Sequence, residues 1–126
     1  MTNIETLLVQ ALNSSSAFQG LKKAGMSKIE AFMDIPAKRP TRFVTVERTG
    51  GGETDFVDSA QLAIQFWAES RVTASNGAYA LARILEQLPI TQPLLGGVDV
   101  QRIYNFPDVD QNRYQLFVVA ASVRGQ

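Results

Sequence analysis

Aspartate carboxylates are the side chains in this sequence whose type most readily suggests chemistry. Carboxylate oxygens are the ligands that Mg²⁺ and Ca²⁺ prefer, and the candidates for such a site are Asp55, Asp58, Asp99, Asp108 and Asp110. Their spacing matches no calcium-binding loop. Asp108 and Asp110 flank a position shortly after Pro107, where aspartate commonly accepts hydrogen bonds from the backbone of a turn. The pattern therefore favours a turn over a metal site.

The usual partners of catalytic groups are missing from the sequence. It contains no histidine and no cysteine, which removes the commonest general base, the commonest metal ligand, thiol nucleophiles and disulfides. Ser14, Ser15 and Ser16 have no histidine to activate them, and no Ser-x-x-Lys motif is present. We therefore expect no enzymatic activity, no catalytic residue, and no bound cofactor or metal. A small metal-dependent phosphoryl-transfer enzyme that uses the aspartates is kept as an alternative.

Composition is that of an ordinary folded domain. Hydrophobic residues make up 45% of the 126 residues and charged residues 19%, so we predict a single domain over residues 1–126. Twelve basic side chains balance twelve acidic ones, which disfavours a protein that binds nucleic acid by its phosphates. No apolar run approaches the roughly 20 residues that cross a bilayer, and no signal peptide is apparent. We expect synthesis in the cytoplasm and no membrane partner.

Three consecutive glycines, Gly50, Gly51 and Gly52, separate two β-rich runs. The runs carry apolar residues at strand spacing: Phe43, Val44 and Val46 before the glycines, and Leu62, Ile64, Phe66 and Ala68 after them. A phosphate-binding loop would need a helix directly after the glycines, whereas a strand follows here. We therefore predict a β-hairpin with one apolar face and the glycines at its turn. The tip is then either a flexible connector or a docking element.

Helical spacing marks two other segments. Apolar residues recur every three or four positions from Ile4 to Leu12, with Thr2 or Asn3 as the N-cap. A second stripe follows the potential cap Ser70 and is predicted to end before Pro89: Ala74, Ala78, Leu81, Leu85 and Leu88. Gly77 within this helix indicates close approach of another backbone, or else a tolerated glycine without a specific role.

Three more strands complete the predicted fold. Residues 29–33 alternate up to a stop at Pro36, and a loop at 93–97 precedes a strand that ends near Pro107. After a turn at 108–112, the last strand carries apolar residues on both faces, the pattern of a strand covered on both sides. The predicted fold class is α+β: a mixed, mainly antiparallel sheet of four or five strands, with two main helices packed on one face.

Trp67 and a local group of basic residues are the candidate contact residues. Alternation places Trp67 on the sheet face opposite Ile64 and Phe66, where it either packs under a loop or anchors a subunit contact. With the two-sided last strand, it favours an oligomer. The basic group of Lys38, Arg39, Arg42 and Arg48 is either a binding surface or a solvated edge. The candidate interface residues are Arg39, Arg42, Arg48, Gly50, Gly51, Gly52 and Trp67.

The order of these elements, with RPTRFVTVERTGG at 39–51 and FPDVDQNRYQ at 106–115, resembles the tail-terminator (tail-completion) proteins of long-tailed bacteriophages and of phage-derived particles such as gene transfer agents. The resemblance spans nearly the whole chain. It implies a structural virion protein at the tail–neck junction. Such subunits form a ring, expected to be hexameric, that caps the tail tube, ends the addition of tube protein and joins the head connector. DNA would pass through the lumen without being read.

Two other non-enzymatic functions stay open at this stage. A head-closure or stopper protein of the same neck differs from a tail terminator in its partners more than in its physics. A ligand-binding α+β module would instead hold a pocket between sheet and helices. The sequence does not assign the surfaces that would meet the tail-tube protein or the connector.

Overall fold

A computed structural model of the chain describes residues 3–53 and 57–123. Within these ranges the elements follow in the order α1 (Ile4–Asn13), α2 (Ser16–Gln19), β1 (Ala31–Phe32), β2 (Phe43–Glu53), β3 (Val57–Ala68), α3 (Arg71–Thr91), β4 (Leu95–Asn105) and β5 (Asn112–Val123). No helix in the described ranges is both long and apolar enough to cross a membrane.

The strands form one five-stranded sheet in the order β1-β2-β3-β5-β4. β1 pairs parallel with β2, and the other neighbours are antiparallel. β3 and β5 pair along their whole lengths, from Val57 opposite Val123 to Ala68 opposite Asn112. The predicted α+β fold, with a mixed and mainly antiparallel sheet, is confirmed.

The main core lies between one face of this sheet and the helices α1 and α3. The helical stripes predicted from spacing are buried, and they pack against the inward positions of β2, β3 and β5, which include Val46, Ile64 and Val118. Each square ångström of apolar surface removed from water contributes roughly 25 cal/mol, so these stripes hold the helices to the sheet. Asn3 caps α1 by accepting from the Thr6 backbone N–H, and Ser70 caps α3 in the same way; Thr2 lies outside the described residues.

The glycine triplet corrects the predicted turn. Gly50, Gly51 and Gly52 lie inside β2 and pair with Gln61, Ala60 and Ser59 of β3, after a bulge at position 49. Gly51 has a φ of +113°, and a Cβ there would lie 2.1 Å from the carbonyl oxygen of Ser59. Glycine is therefore required by close approach of the neighbouring strand. Residues 54–56, between β2 and β3, lie outside the described residues.

Three further boundaries differ from the sequence-based predictions. Pro89 lies inside α3, which continues to Thr91; in the last turn a proline forfeits only one helical hydrogen bond, so the helix persists. The predicted loop at 93–97 is shorter, because β4 begins at Leu95 and contains Gly96 and Gly97 beside a bulge. The first strand is only Ala31–Phe32 rather than residues 29–33.

Gly77 is explained by a neighbouring side chain, whereas the sequence left open either close approach of another backbone or a tolerated glycine. A Cβ at this position of α3 would lie 2.2 Å from a ring carbon of Phe66, on β3. Because such a distance is far below van der Waals contact, the helix could not sit this close to β3 with any larger residue.

The outer edge of β1 is closed by two side-chain amides. Asn13 accepts from the Ala31 backbone N–H at 2.8 Å and donates to the Ala31 carbonyl at 3.2 Å. Gln19 does the same for Ile29, at 3.1 and 2.9 Å. These amides occupy the backbone groups that a further strand would need, which protects this edge against strand pairing.

Candidate interaction surface

The sheet face opposite α1 and α3, called the open face below, is the candidate functional surface. No helix within the described ranges lies on it, and the strand register sets its side chains in rows across β2, β3, β5 and β4. The first row holds Phe43, Trp67 and Arg113; the second Thr45, Gln65, Gln115 and Tyr104; the third Glu47, Ala63, Phe117 and Arg102.

Trp67 lies on the open face, as alternation predicts, but its ring is fully buried. It stacks on Phe43 with a centroid distance of 5.1 Å and an interplanar angle of 10°. Its Nε1 donates to the Thr45 hydroxyl at 3.1 Å. The guanidinium groups of Arg39 and Arg113 lie 5.2 and 4.7 Å from the ring centroid. The sequence left two interpretations of Trp67 open, packing under a loop or anchoring a subunit contact. The ring packs under a loop, because none of its surface is left exposed for a partner.

Arginines form a polar cover over the aromatic residues of this face. Arg113 also lies 4.3 Å from the ring centroid of Phe106 and donates from Nε to the Phe106 carbonyl at 2.6 Å. Arg102 lies 5.0 Å above the ring of Phe117. A guanidinium stacks on an aromatic face while its N–H groups stay available for carboxylates or carbonyls. The open face therefore presents donors above apolar surface, a chemistry suited to protein contacts.

A continuous row of hydrogen bonds crosses four strands in the middle of the open face. The Thr45 hydroxyl donates to Gln65 at 3.0 Å, Gln65 donates to Gln115 at 2.7 Å, and Gln115 donates to the Tyr104 hydroxyl. Thr45 and Gln115 are buried. Because every amide in the row has its partner, the row fixes these side chains in single orientations. The open face is therefore preorganised in its centre.

Two connectors fold over the end of the open face that carries Trp67. The segment 33–42 and the turn 106–111 are joined by an ion pair of 2.8 Å between Arg39 and Asp108. Gln111 adds hydrogen bonds to the carbonyls of Pro40 and Thr41, at 3.4 and 3.0 Å. The interaction with Arg39 lowers the pKa of the Asp108 carboxyl. This carboxylate thus serves to hold the connectors together.

The aspartates considered as metal ligands do not converge in the described part of the chain. No group of three or more acidic residues there is arranged to hold an ion. Asp108 is engaged by Arg39, while Asp99 and Asp110 are exposed on β4 and on the turn. Asp55 and the side chain of Asp58 lie outside the described residues.

The arginines of the predicted basic cluster have separate contacts. Arg42 makes a two-pronged ion pair with Glu69, at 3.0 and 2.9 Å, and donates to the Leu21 carbonyl. This pairing holds the pKa of Glu69 at about 2, below its usual 4.5. The Arg48 backbone N–H donates to Glu5 on α1, and the Arg48 Nε donates to the Gly50 carbonyl. Arg39, Arg42 and Arg48 thus have different partners in the fold.

Open cavities lie on the helical side of the molecule. A groove of about 640 Å³ separates the end of α1 and α2 from the end of α3. Its walls carry Ser14, Ser15 and Ser16 together with glutamines, alanines and larger aliphatic residues, and no ionisable side chain contributes to them. The groove lies between helices, whereas a ligand-binding module was expected to hold its pocket between sheet and helices.

Sequence reasoning missed the glutamine row and the arginine cover. A signal for the row was present, since Gln65 and Gln115 each stand between two apolar or aromatic neighbours in their strands. Pairing those strands in register is what makes the two glutamines partners, and the sequence does not fix that register. Arg102 and Arg113 gave no signal, because their targets Phe117 and Phe106 are defined by tertiary contacts.

The fold as a whole is similar to that of a virion component. A chain in a solved structure described as the virion of a native gene transfer agent particle superposes with a TM-score of 0.66, covering 95% of this chain and 94% of that chain at 14% sequence identity. Similarity at this level of identity defines a shared fold. No protein-family profile matches the sequence. No curated protein matches it either.

Proposed function

We propose that this protein is a structural component of a phage-like virion and that it acts as a tail terminator. In this role a ring of subunits, six by the sequence resemblance, caps the completed tail tube at the tail–neck junction. The ring stops the addition of tube protein and joins the tail to the head connector or stopper. The mechanism is recognition between surfaces, with no covalent chemistry and no cofactor.

The single observation that carries this proposal is the fold match with the gene transfer agent virion chain. The match covers 95% of this chain and 94% of that one. The structural similarity therefore extends over the whole domain rather than over a single motif. The independent resemblance of segments 39–51 and 106–115 to tail terminators selects that role among virion components.

The open face supports a role in recognition. It offers guanidinium groups over aromatic rings and a central row of fixed polar side chains, and such residues are typical of protein contacts. Arg39, Arg42, Arg48 and Gly50–Gly52 stay the predicted interface residues. Trp67 was predicted as a possible direct anchor of a subunit contact; because its ring is buried, it can influence a partner only through Arg39 and Arg113. DNA passes through the ring lumen without sequence reading, as a chain of zero net charge permits.

The proposal is tested by tube capping. Tail-tube protein encoded in the same gene cluster is polymerised with and without this protein, and tube lengths and gold-labelled ends are scored by electron microscopy. We expect label at one end of each tube and arrested elongation, with free tube protein left in solution. Heat-unfolded protein at the same concentration is the control.

The other outcomes distinguish the alternatives. Binding to the head connector without binding to tube ends would identify a head-closure protein. Normal tube growth with no label at either end, from folded protein, would refute the terminator function.

A further inference from the structure

Two exposed apolar patches flank the sheet at its opposite edges. Beside β1, the segment Met33–Ile35, called the β1 knob below, carries Met33 and Ile35 with 43% and 44% of their surfaces exposed. Beside β4, the solvent side of α3 carries Tyr79 and Ile90, which are 57% and 83% exposed. Exposed apolar residues that lie together are typical of contact surfaces. The two patches lie beside opposite edge strands, which are separated by four strand spacings, or about 19 Å.

The exposed residues of α3 form a line rather than a scatter. Val72, Tyr79 and Ile90 are separated by 7 and 11 positions, and the 18 positions from first to last make about five helical turns. Within this line, Tyr79 borders a groove of about 250 Å³ whose walls are Tyr79, Ala82 and Glu86 on one side and residues 100–103 of β4 on the other. Ile90 borders the larger groove beside α1 and α2. We call this line and groove the α3 face.

Opposite charges lie at the centres of the two patches. Asp34 is the middle residue of the β1 knob, and Arg83 lies one turn from Tyr79 on α3; both are exposed. Neither has a salt bridge or hydrogen bond within the described ranges. The other charged groups that border the groove are engaged, since Glu86 accepts from the Val100 backbone N–H and Arg102 stacks on Phe117. Arg83 is therefore the positive group on the α3 face that is available to a partner.

We propose that the β1 knob of one subunit docks on the α3 face of the next, with Asp34 of one copy paired with Arg83 of its neighbour. The proposal rests on the proposed ring and specifies its contact. Two different patches on opposite edges give a head-to-tail contact, and repetition of such a contact closes a ring when the rotation per step allows it. Strand pairing through β1 is disfavoured as the ring contact, because Asn13 and Gln19 already occupy the backbone groups of that edge.

Charge reversal tests the pairing. Asp34→Arg and Arg83→Asp each place like charges opposite one another, so we expect each to weaken self-association about tenfold or more, measured by light scattering over a wide concentration range. The double variant Asp34→Arg/Arg83→Asp restores opposite charges and should return to near wild-type association. Asp110→Arg, at an exposed aspartate on the 106–111 turn, is the matched control and should associate normally. Circular dichroism checks that every variant is folded.

Cross-linking extends the test to subunits that assemble only on a tube. Because the chain has no cysteine, an Asp34→Cys/Arg83→Cys variant carries the only two thiols, and a short bis-maleimide should link neighbours into a ladder that ends at the ring size. Single-cysteine variants should stop at dimers or below.

The possible results distinguish failure of the Asp34–Arg83 contact from failure of ring formation. An oligomer, free or on tubes, that is unaffected by both reversals, or that the double variant does not recover, overturns the Asp34–Arg83 contact and leaves the proposed function standing. A folded wild-type protein that stays monomeric both in solution and on capped tubes overturns the ring itself.

Discussion

Arg39 and Asp108, 69 positions apart in the sequence, form an ion pair of 2.8 Å that joins two connectors over Trp67. The Arg39 guanidinium links the Asp108 carboxylate to Trp67, since it contacts the carboxylate and also lies 5.2 Å from the indole centroid. Burial of this tryptophan therefore depends on a contact between loops as well as on the sheet beneath. Trp67, on the open face of the sheet, is therefore a core residue of a second, smaller layer between the sheet and the two connectors.

Removal of the Asp108 charge should loosen this layer. In Asp108→Asn the ion pair with Arg39 is lost, and we expect Trp67 to become more accessible to acrylamide with its emission shifted to longer wavelength. The chain contains one tryptophan, so the fluorescence reports this site alone. Asp110→Asn, two positions along the same turn, is the control and should leave quenching unchanged. Equal quenching in both variants would mean that Phe43 and Arg113 suffice to shield the ring.

The Arg42–Glu69 pair predicts a defined acid sensitivity. The pKa of Glu69 is about 2 in the folded protein, against 4.5 ordinarily. Its stabilisation is thus fully present above about pH 4.5 and is lost as the pH falls towards 2. Screening limits the contribution of this partly exposed pair to about 1 kcal/mol or less.

Denaturant titrations between pH 2 and 6 measure this contribution. Glu69→Gln should flatten the pH dependence of the unfolding free energy in that window, and it should cost stability at pH 6 but little at pH 2. Glu47→Gln, at an exposed position on β2, is the matched control. A Glu69→Gln protein with the full acid sensitivity of the wild type would show that other carboxylates set it.

Gly77 should be intolerant of even a methyl group. An added Cβ would lie 2.2 Å from the Phe66 ring, so Gly77→Ala should destabilise the protein by about 1–3 kcal/mol through overpacking, despite the gain of roughly 1 kcal/mol in helix propensity. Asn76→Ala, at the exposed neighbouring position, should be neutral or stabilising. Thermal melting compares the two, and a stabilised Gly77→Ala protein would contradict the close contact.

Periodicity predicted most of the fold because the core is built from regular faces. The α3 stripe from Ala74 to Leu88 and the inward positions of β3 are buried as their spacing requires. The contacts of the candidate site were predicted less completely from the sequence. Trp67 was placed on the correct face, but the sequence left open whether a loop covers it. That depended on Arg39 meeting Asp108, a contact between segments with no periodic signal.

Glycine was the residue type most often misplaced, for a physical reason. Gly50–Gly52 and Gly77 carry the same sequence signal, freedom from a side chain, yet that freedom has several uses. It serves close strand approach at Gly51 and room for an aromatic ring at Gly77. A turn is only one of these uses, and the sequence does not state which neighbour is near.

Gly51 and Gly52 give the sharpest test of how the hairpin is built. Gly51 combines a φ of +113° with a Cβ position 2.1 Å from the Ser59 carbonyl, whereas a Cβ at Gly52 would meet nothing within 4 Å. Gly51→Ala should therefore lose about 1–3 kcal/mol of unfolding free energy from backbone strain alone, with the clash adding to it. Gly52→Ala should lose less than about 1 kcal/mol. Urea unfolding measures both. Equal tolerance at the two positions would contradict the paired register and would indicate that the glycines form a turn. A two-residue Asn-Gly replacement of residues 50–52 separates the same alternatives. A turn would accept this replacement, whereas with the paired register it should unfold the end of the hairpin.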